Sequence, residues 1–212
     1  DNYAYLVHEK GKTLVIDPSE GPPVRAALEE RGWKADAVLN THHHWDHVGG
    51  NAALKAEYGC LIWGPEGDKD RVPSLDKELP RDRQVEVAEV VFETLFIPGH
   101  THHHQAFYFP LAKAVFSGDT LFLMGCGRLF EGTPEQMWKS LGRLASLPSQ
   151  TRVFCGHEYT RQNALFALSL EPEWAAVKAR LGCHVPGTIE EELKTNPFLR
   201  LKEGTFREKF FP

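Results

Sequence analysis

The stretch Thr41 to His47 carries the highest density of metal-binding side chains in the sequence. It contains the pattern His-x-His-x-Asp-His. Alternate side chains of an extended segment share a face, so His42 and His44 can converge on one cation. Asp46 and His47 leave the strand at the next turn and can reach a second cation. Imidazole and carboxylate groups bind divalent metals, so the stretch predicts a two-metal hydrolytic site rather than a solvated histidine-rich turn.

Three further turns supply ligand-type residues in one common sequence context. Each is an apolar strand-like run, then a glycine, then the ligand-type residue itself, namely His100, Asp119 or His157. Glycine allows the backbone to turn sharply and to approach closely. Taken singly, His157 also fits a hydrogen-bonded histidine at a strand end, and Asp119 fits a turn or helix cap. With the first motif, however, the three turns predict a single metal-binding cleft.

The elements around these turns indicate an α/β core followed by helices. Apolar runs 13–16 and 37–41 predict strands, each followed by a helical pattern. Closely spaced β-type runs follow between residues 84 and 117, and many are apolar on both faces, as in a sheet within a sandwich. An amphipathic helix is predicted over 134–146 and a last strand over 151–155. We therefore predict a metal-binding domain over residues 1–158 and a helical substrate-binding region over 159–212.

Composition excludes several classes of protein. The chain has 212 residues and a net charge of −5, which argues against a nucleic-acid partner. Its four cysteines are widely spaced, so we expect free thiols in a reducing, cytoplasmic setting rather than a disulfide framework. No apolar run predicts a membrane span, and no signal peptide is visible. Because the chain starts without methionine, we expect an upstream segment to be missing or processed; we also expect a monomer.

The string THHHWDHVGGN, at residues 41–51, resembles the metallo-β-lactamase superfamily and, within it, the glyoxalase II (hydroxyacylglutathione hydrolase) family. Three further strings match that family: GCGRLFEGT at 125–133, CGHEYT at 155–160 and NPFLR at 196–200. The resemblance covers nearly the whole chain and is weak only over its last dozen residues. It implies an α/β (α+β) fold, a four-layer αββα sandwich with a small C-terminal helical region.

The resemblance also implies a complete set of metal ligands. One metal is expected on His42, His44 and His100. The other is expected on Asp46, His47 and His157. Asp119 is expected to bridge the two, because a carboxylate has two oxygens and can do so. The implied cofactors are two divalent cations, with zinc expected and iron or manganese compatible with the same ligands.

The chemistry that follows is hydrolysis of a thioester. Two divalent cations lower the pKa of a shared water toward about 7, and the sequence contains no serine nucleophile elbow, so a metal-bound hydroxide with Asp46 and Asp119 is the expected catalyst. A leaving thiolate has an ordinary pKa of about 8.5 and needs little help from a general acid. The family implies S-2-hydroxyacylglutathione, such as S-lactoylglutathione, as the substrate, cleaved to glutathione and a 2-hydroxy acid.

Five residues are expected to contact the substrate by resemblance. Arg128 and Phe130 lie in the loop that grips glutathione, where Phe130 replaces a tyrosine and lacks its hydroxyl. Tyr159 is expected near the glutathione backbone. The family usually continues for some tens of residues to a basic anchor, and here Arg207 and Lys209 either take that role or form an ordinary charged tail.

Other activities remain open on the same fold. A persulfide dioxygenase-like protein with a single iron would leave Asp46 and His47 idle. A lactonase or β-lactamase fits the GCGRLFEGT and CGHEYT strings less well. A non-catalytic metal-binding module would be expected to have lost a ligand, whereas all seven positions are filled here.

Overall fold

The computed structural model describes residues 2–200, and these form two compact units. The first unit comprises the chain up to Phe96 together with His103–Pro110. The second comprises Ile97–His102 together with the chain from Leu111 onward. This division follows spatial packing, and the predicted boundary near residue 158 stays a prediction.

The first unit contains a five-stranded sheet, an antiparallel meander and three helices. Its elements are β1 (Tyr5–Glu9), β2 (Lys12–Ile16), α1 (Gly21–Arg31), β3 (Ala37–Leu39), α2 (Trp45–Val48), α3 (Asn51–Tyr58), β4 (Leu61–Pro65), β5 (Lys77–Leu79), β6 (Gln84–Val87), β7 (Val90–Phe96) and β8 (Gln105–Phe109). In the sheet, β1 is antiparallel to β2, and β2 to β5 are parallel neighbours in chain order. The meander pairs β6 with β7 and β7 with β8.

Strand β3 lies at the centre of the five-stranded sheet and carries the histidine stretch at its carboxyl end. Val38 and Leu39 are completely buried, as are Leu14 and Val15 of the neighbouring strand β2. Continuous apolar runs of this kind are typical of parallel strands covered on both faces. Helix α1 contributes Leu28 to the same core. The buried strand therefore holds the start of the histidine stretch rigidly.

The helical pattern that follows the run 37–41 predicts one helix after Asp46, and that prediction is wrong. The chain forms two short helices there, α2 and α3. The break falls at Gly49 and Gly50. A Cβ on Gly49 would lie 2.4 Å from the carbonyl oxygen of Ser19, and one on Gly50 would lie 2.9 Å from that of Pro18. The Gly50 N–H also donates to the Pro18 carbonyl at 2.8 Å. The two glycines let the helices pack directly against the loop that follows β2.

The second unit contains a three-stranded ladder, a short hairpin and five helices. Its elements are β9 (Ala114–Gly118), β10 (Leu121–Phe122), β11 (Gly125–Cys126), α4 (Pro134–Ala145), β12 (Arg152–Cys155), α5 (Thr160–Leu170), α6 (Ala175–Lys178), β13 (Gly187–Thr188), α7 (Ile189–Thr195) and α8 (Pro197–Arg200). Strand β12 is parallel to β9 and antiparallel to β13, and β10 pairs with β11. Strands β10, β11 and β13 have two residues each, too few for a periodic sequence signal.

The amphipathic helix predicted over 134–146 is confirmed by α4. Thr133 caps its N-terminus in a reciprocal capping box with Gln136. Its apolar side buries Met137, Leu141 and Leu144. The helices predicted after residue 159 are present as α5 to α8. Among the described residues, no helix is both long and apolar enough to cross a bilayer.

Candidate metal centre

The first cluster consists of His42, His44, Asp46 and His47, which leave β3 and enter α2. The ring of His42 lies 4.6 Å from that of His44 and 4.3 Å from that of His47, measured between centroids. His42 and His47 are fully buried. Three imidazoles therefore share one small volume, as the alternation in the sequence predicts for the first two.

Asp17, the residue that follows strand β2, braces this first cluster. Its carboxylate accepts hydrogen bonds from the Thr41 N–H at 2.7 Å and from the Thr41 hydroxyl at 2.6 Å. It also accepts from His47 Nδ1 at 3.1 Å. A carboxylate can only accept here, so Nδ1 of His47 carries the proton and Nε2 is left with a lone pair. Carboxylates that orient histidine ligands in this way are typical of metal sites.

Ligand atoms of Asp17, His42 and His47 lie within 4.8 Å of one another. Asp17 already accepts three hydrogen bonds from the protein, so the two imidazoles are the candidate ligands of this group. The donor set fits a borderline divalent cation, which prefers imidazole nitrogen.

Asp46 and His104 complete the surroundings of the first cluster. The amide of Asn2 donates to Oδ2 of Asp46 at 2.9 Å and to its carbonyl oxygen at 2.9 Å. This contact fixes the carboxylate rotamer next to His47, whose Nε2 lies 3.7 Å from Asp46 Oδ2. The ring of His104 is buried and stacks on that of His42 at 4.7 Å. His104 therefore packs against a candidate ligand.

The other two residues of the histidine stretch face elsewhere. His43 lies beside the buried carboxylate of Asp68, with Nδ1 3.4 Å from Oδ2, and beside the guanidinium of Arg71. Trp45 is 82% exposed. His43 thus packs against the protein, and Trp45 points to solvent.

The second cluster consists of His100, Asp119 and His157, which lie on three separate turns. Oδ2 of Asp119 is 3.5 Å from Nε2 of His100 and 3.1 Å from Nε2 of His157. All three side chains are at least nine-tenths buried. Nδ1 of His100 is 2.8 Å from the carbonyl oxygen of Arg128, which can only accept, so Nδ1 carries the proton and Nε2 faces Asp119. The second unit thus holds a carboxylate between two imidazole nitrogens.

Gly127 is what permits this arrangement. A Cβ at this position would lie 1.8 Å from the carbonyl oxygen of Asp119 and 3.2 Å from Nδ1 of His100. Any side chain would therefore push the loop away from both residues. In the sequence the loop stands out only by resemblance, whereas the structure gives a steric reason for its glycine.

Two of the expected substrate residues lie beside the second cluster. The ring of Phe130 is 62% exposed and stands edge-on to that of His100 at 5.2 Å. The ring of Tyr159 stacks on that of His157 at 4.9 Å, with 8° between the planes. The Arg128 side chain is exposed, while its carbonyl binds His100. Arg207 and Lys209 lie outside the described residues.

Cys155 is disfavoured as a thiolate ligand. Burial raises the pKa of its thiol to about 12, so it stays protonated near neutral pH. Its Sγ also lies 3.4 Å from the carbonyl oxygen of His157, in position to donate to it. The thiol acts as a buried, hydrogen-bonded side chain.

Comparison with known proteins identifies the family and the relatives of this chain. The family model described as Metallo-beta-lactamase superfamily matches residues 1–157, and the model described as Hydroxyacylglutathione hydrolase C-terminus matches residues 158–210. Proteins named hydroxyacylglutathione hydrolase from Methylococcus capsulatus and Ruegeria pomeroyi are 48% and 47% identical; the alignments cover 98% and 94% of this chain and 86% and 83% of theirs.

A solved structure described as TTHA1623 in a di-iron-bound form superposes with a TM-score of 0.72. It is 29% identical, and the alignment covers 94% of this chain and 96% of that one. The expected metallo-β-lactamase fold is thereby confirmed.

Proposed function

This chain belongs to the metallo-beta-lactamase superfamily and, within it, to the hydroxyacylglutathione hydrolases, and from that premise we propose that it is a metal-dependent thioester hydrolase. Its substrate is S-2-hydroxyacylglutathione, such as S-lactoylglutathione, and its products are glutathione and a 2-hydroxy acid. The observation that carries this conclusion is the 48% identity over 98% of the chain to a protein of that name. The candidate ligands and the Phe130 and Tyr159 rings beside the second cluster support it.

We propose that the two clusters supply the ligands of a binuclear centre. His42, His44 and His100 hold one cation. Asp46, His47 and His157 hold the other. Asp119 bridges them. Support comes from the imidazole and carboxylate donors and from a similar protein described as di-iron-bound. Zinc is the proposed occupant, and iron or manganese suits the same donors.

When bound, such a cation pair lowers the pKa of water and polarises a carbonyl group. Residues of the protein orient the proposed metal ligands and the attacking water. Asp17 and the Arg128 carbonyl hold protons on Nδ1 of His47 and of His100, which leaves each Nε2 for coordination. Asp46 and Asp119 are the proposed catalytic carboxylates. They would accept hydrogen bonds from the attacking water, whose oxygen bonds to the thioester carbon while one of its protons passes to the Asp46 carboxylate and from there to solvent. The carbon–sulfur bond breaks and the thiolate leaves without a dedicated acid.

We propose that the substrate contacts come from the second unit and the chain beyond it. Arg128 pairs with a carboxylate of the glutathione portion, because guanidinium groups bind carboxylates in a bidentate geometry. Phe130 and Tyr159 give apolar and aromatic contacts. Arg207 and Lys209 remain proposed anchors. The proposed organisation is a metal-binding domain over 1–158 and a substrate-binding region over 159–212, in a cytoplasmic monomer with four free thiols.

Elemental analysis of the purified protein, together with an assay of S-lactoylglutathione hydrolysis, tests the proposal. The expected result is close to two metals per chain and turnover that a chelator abolishes and zinc restores. Two metals without turnover would overturn the substrate assignment. One iron per chain would instead favour the persulfide dioxygenase-like alternative.

A further inference from the structure

The hairpin formed by β10 and β11 lies in the chain between Asp119 and Arg128, and side chains of the C-terminal helices hold its backbone. The Met124 N–H at its turn donates to Oε2 of Glu192 at 2.6 Å. The amide of Asn196 donates to the carbonyls of Phe122 at 3.2 Å and Gly125 at 2.9 Å. We call Glu192 and Asn196 the clasp.

The clasp is buried and internally bonded. Glu192 and Asn196 are both fully buried, and the Asn196 amide also donates to Oε2 of Glu192 at 3.0 Å. The guanidinium of Arg180 lies 2.8 Å from the other oxygen of Glu192. A buried carboxylate is costly unless it is paired and hydrogen-bonded, and Glu192 meets both conditions, with Arg180 at one oxygen and Met124 and Asn196 at the other.

Met124, whose N–H donates to Glu192 of the clasp, has a backbone conformation that residues other than glycine rarely adopt. Its φ is 56°, in the left-handed region. Such a conformation persists only where the surroundings impose it. Asn163 of helix α5 supports the same turn by donating to the carbonyl of Leu123 at 2.9 Å. The helices therefore determine the path of the hairpin, including a turn that its own sequence would not favour.

The hairpin in turn determines the position of Arg128. Immediately after β11, the Gly127 N–H donates to the Thr120 carbonyl at 3.1 Å, next to Asp119. The Arg128 carbonyl then accepts from Nδ1 of His100. The backbone carbonyl of Arg128 thus orients a proposed metal ligand, and its side chain makes the proposed glutathione contact.

We propose that Glu192 and Asn196 are positioning residues of the hydrolase reaction, acting through the hairpin to place Arg128 both for His100 and for the substrate. This inference rests on the proposed function. It assigns a role to the buried carboxylate in α7 and to the asparagine of the NPFLR string.

The test compares three full-length variants with the wild type. Asn196→Asp keeps the oxygen that accepts from the Phe198 N–H but removes the amide donor. Glu192→Gln keeps the shape and removes the charge. Glu190→Gln is the matched control, because Glu190 lies on the same helix in an exposed pair with Lys194. Each protein is loaded with cobalt(II) for its electronic absorption spectrum and with zinc for kinetics on S-lactoylglutathione.

We expect Asn196→Asp and Glu192→Gln to lower kcat about 10- to 100-fold, as for other residues that orient metal ligands. We also expect both to raise KM and to change the cobalt spectrum, while Glu190→Gln changes none of these. If folded variants show only a lower midpoint of thermal unfolding, with wild-type spectrum, kcat and KM, the clasp is merely structural and the proposal is wrong.

Two further outcomes are covered: a Glu192→Gln variant that does not fold, and a wild type that does not hydrolyse the substrate. If Glu192→Gln does not fold, Asn163→Ser replaces it, because Asn163 holds the same turn from α5; an unchanged cobalt spectrum and unchanged kinetics in that variant would contradict the proposal. If the wild type binds metal but does not hydrolyse S-lactoylglutathione, the proposed function fails by itself. The cobalt spectra still show whether the clasp acts on His100.

Discussion

The two clusters reach similar groupings of imidazole and carboxylate by different means. In the first cluster, all the candidate ligands come from one stretch at the end of β3, and Asp17 braces them from the adjacent strand through three direct hydrogen bonds. In the second, His100, Asp119 and His157 come from three separate turns. There the orienting group on His100 is a backbone carbonyl, whose place depends on the β10–β11 hairpin.

We therefore expect substitutions near the two clusters to affect their candidate ligands differently. A side-chain brace such as Asp17 acts on one ligand and can be weakened alone. The Arg128 carbonyl that orients His100 cannot be removed by a substitution; it can only be displaced with the loop that carries it. The second cluster therefore depends on more distant packing, in α5 and α7. A further contrast concerns the carboxylates themselves. Asp17 is satisfied by donors from the protein, whereas Asp119 lies between two imidazole nitrogens that we propose as metal ligands.

The largest effect is expected from Asp119→Asn. This variant keeps the side-chain shape and removes the charge that we propose to bridge two cations. Loss of a single oxyanion-stabilising donor already costs about 10²- to 10³-fold in kcat, so we expect a loss of at least about 10³-fold here. Steady-state hydrolysis of S-lactoylglutathione and metal content measure it. Retention of more than a tenth of the activity would show that Asp119 is not the bridge.

A smaller effect is expected from Asp17→Asn, which tests the brace of the first cluster. The amide cannot accept from all three donors as the carboxylate does, so the His47 ring loses its fixed orientation. We expect zinc affinity to fall about 10- to 100-fold, with activity recovered at high zinc concentration. Zinc titration of the metal-free protein in competition with a chromophoric chelator gives the value. Unchanged affinity would mean that the Thr41 and His47 contacts do not matter for binding.

Residue type and spacing single out the candidate ligands of both clusters but not the residues that brace them. A histidine, or an aspartate after a strand and a glycine, is recognisable from residue type and spacing alone. Asp17 lies at a strand end where an aspartate is equally expected as a terminator. Glu192 lies in the run Glu190-Glu191-Glu192, which is typical of a solvated helix face, yet it is fully buried. Burial depends on tertiary packing, and a single sequence does not display it.

The same reasoning applies to the fold. Long apolar strands such as β7 and the amphipathic helix α4 have enough residues to show a period. The α2–α3 break and the two-residue strands do not. The break depends on a contact with Pro18 and Ser19, some thirty residues earlier in the chain.

Metal removal is expected to loosen the second cluster more than the first. Without bound cations, Asp119 loses the partners that we propose it binds, whereas Asp17 keeps all three of its protein donors. Ligands that bind only the folded state stabilise the segments they hold. Hydrogen exchange of the zinc-loaded and chelated protein should therefore show a loss of protection several-fold greater at residues 118–120 than at residues 39–41. Equal losses at the two places would remove the distinction between the clusters.

The smallest effect is expected from Phe130→Tyr, which adds a hydroxyl to a ring that we propose contacts the substrate. Phe130 is exposed beside His100, so the added hydroxyl meets solvent in the free enzyme and no buried polar group is created. One additional hydrogen bond contributes about 0.5–1.5 kcal/mol, which corresponds to a KM about 2- to 12-fold lower. We expect kcat to stay the same, because the substitution leaves the hydrogen bond between the Arg128 carbonyl and His100 and the clasp behind it unchanged. A changed kcat would instead indicate that Phe130 also affects the orientation of His100.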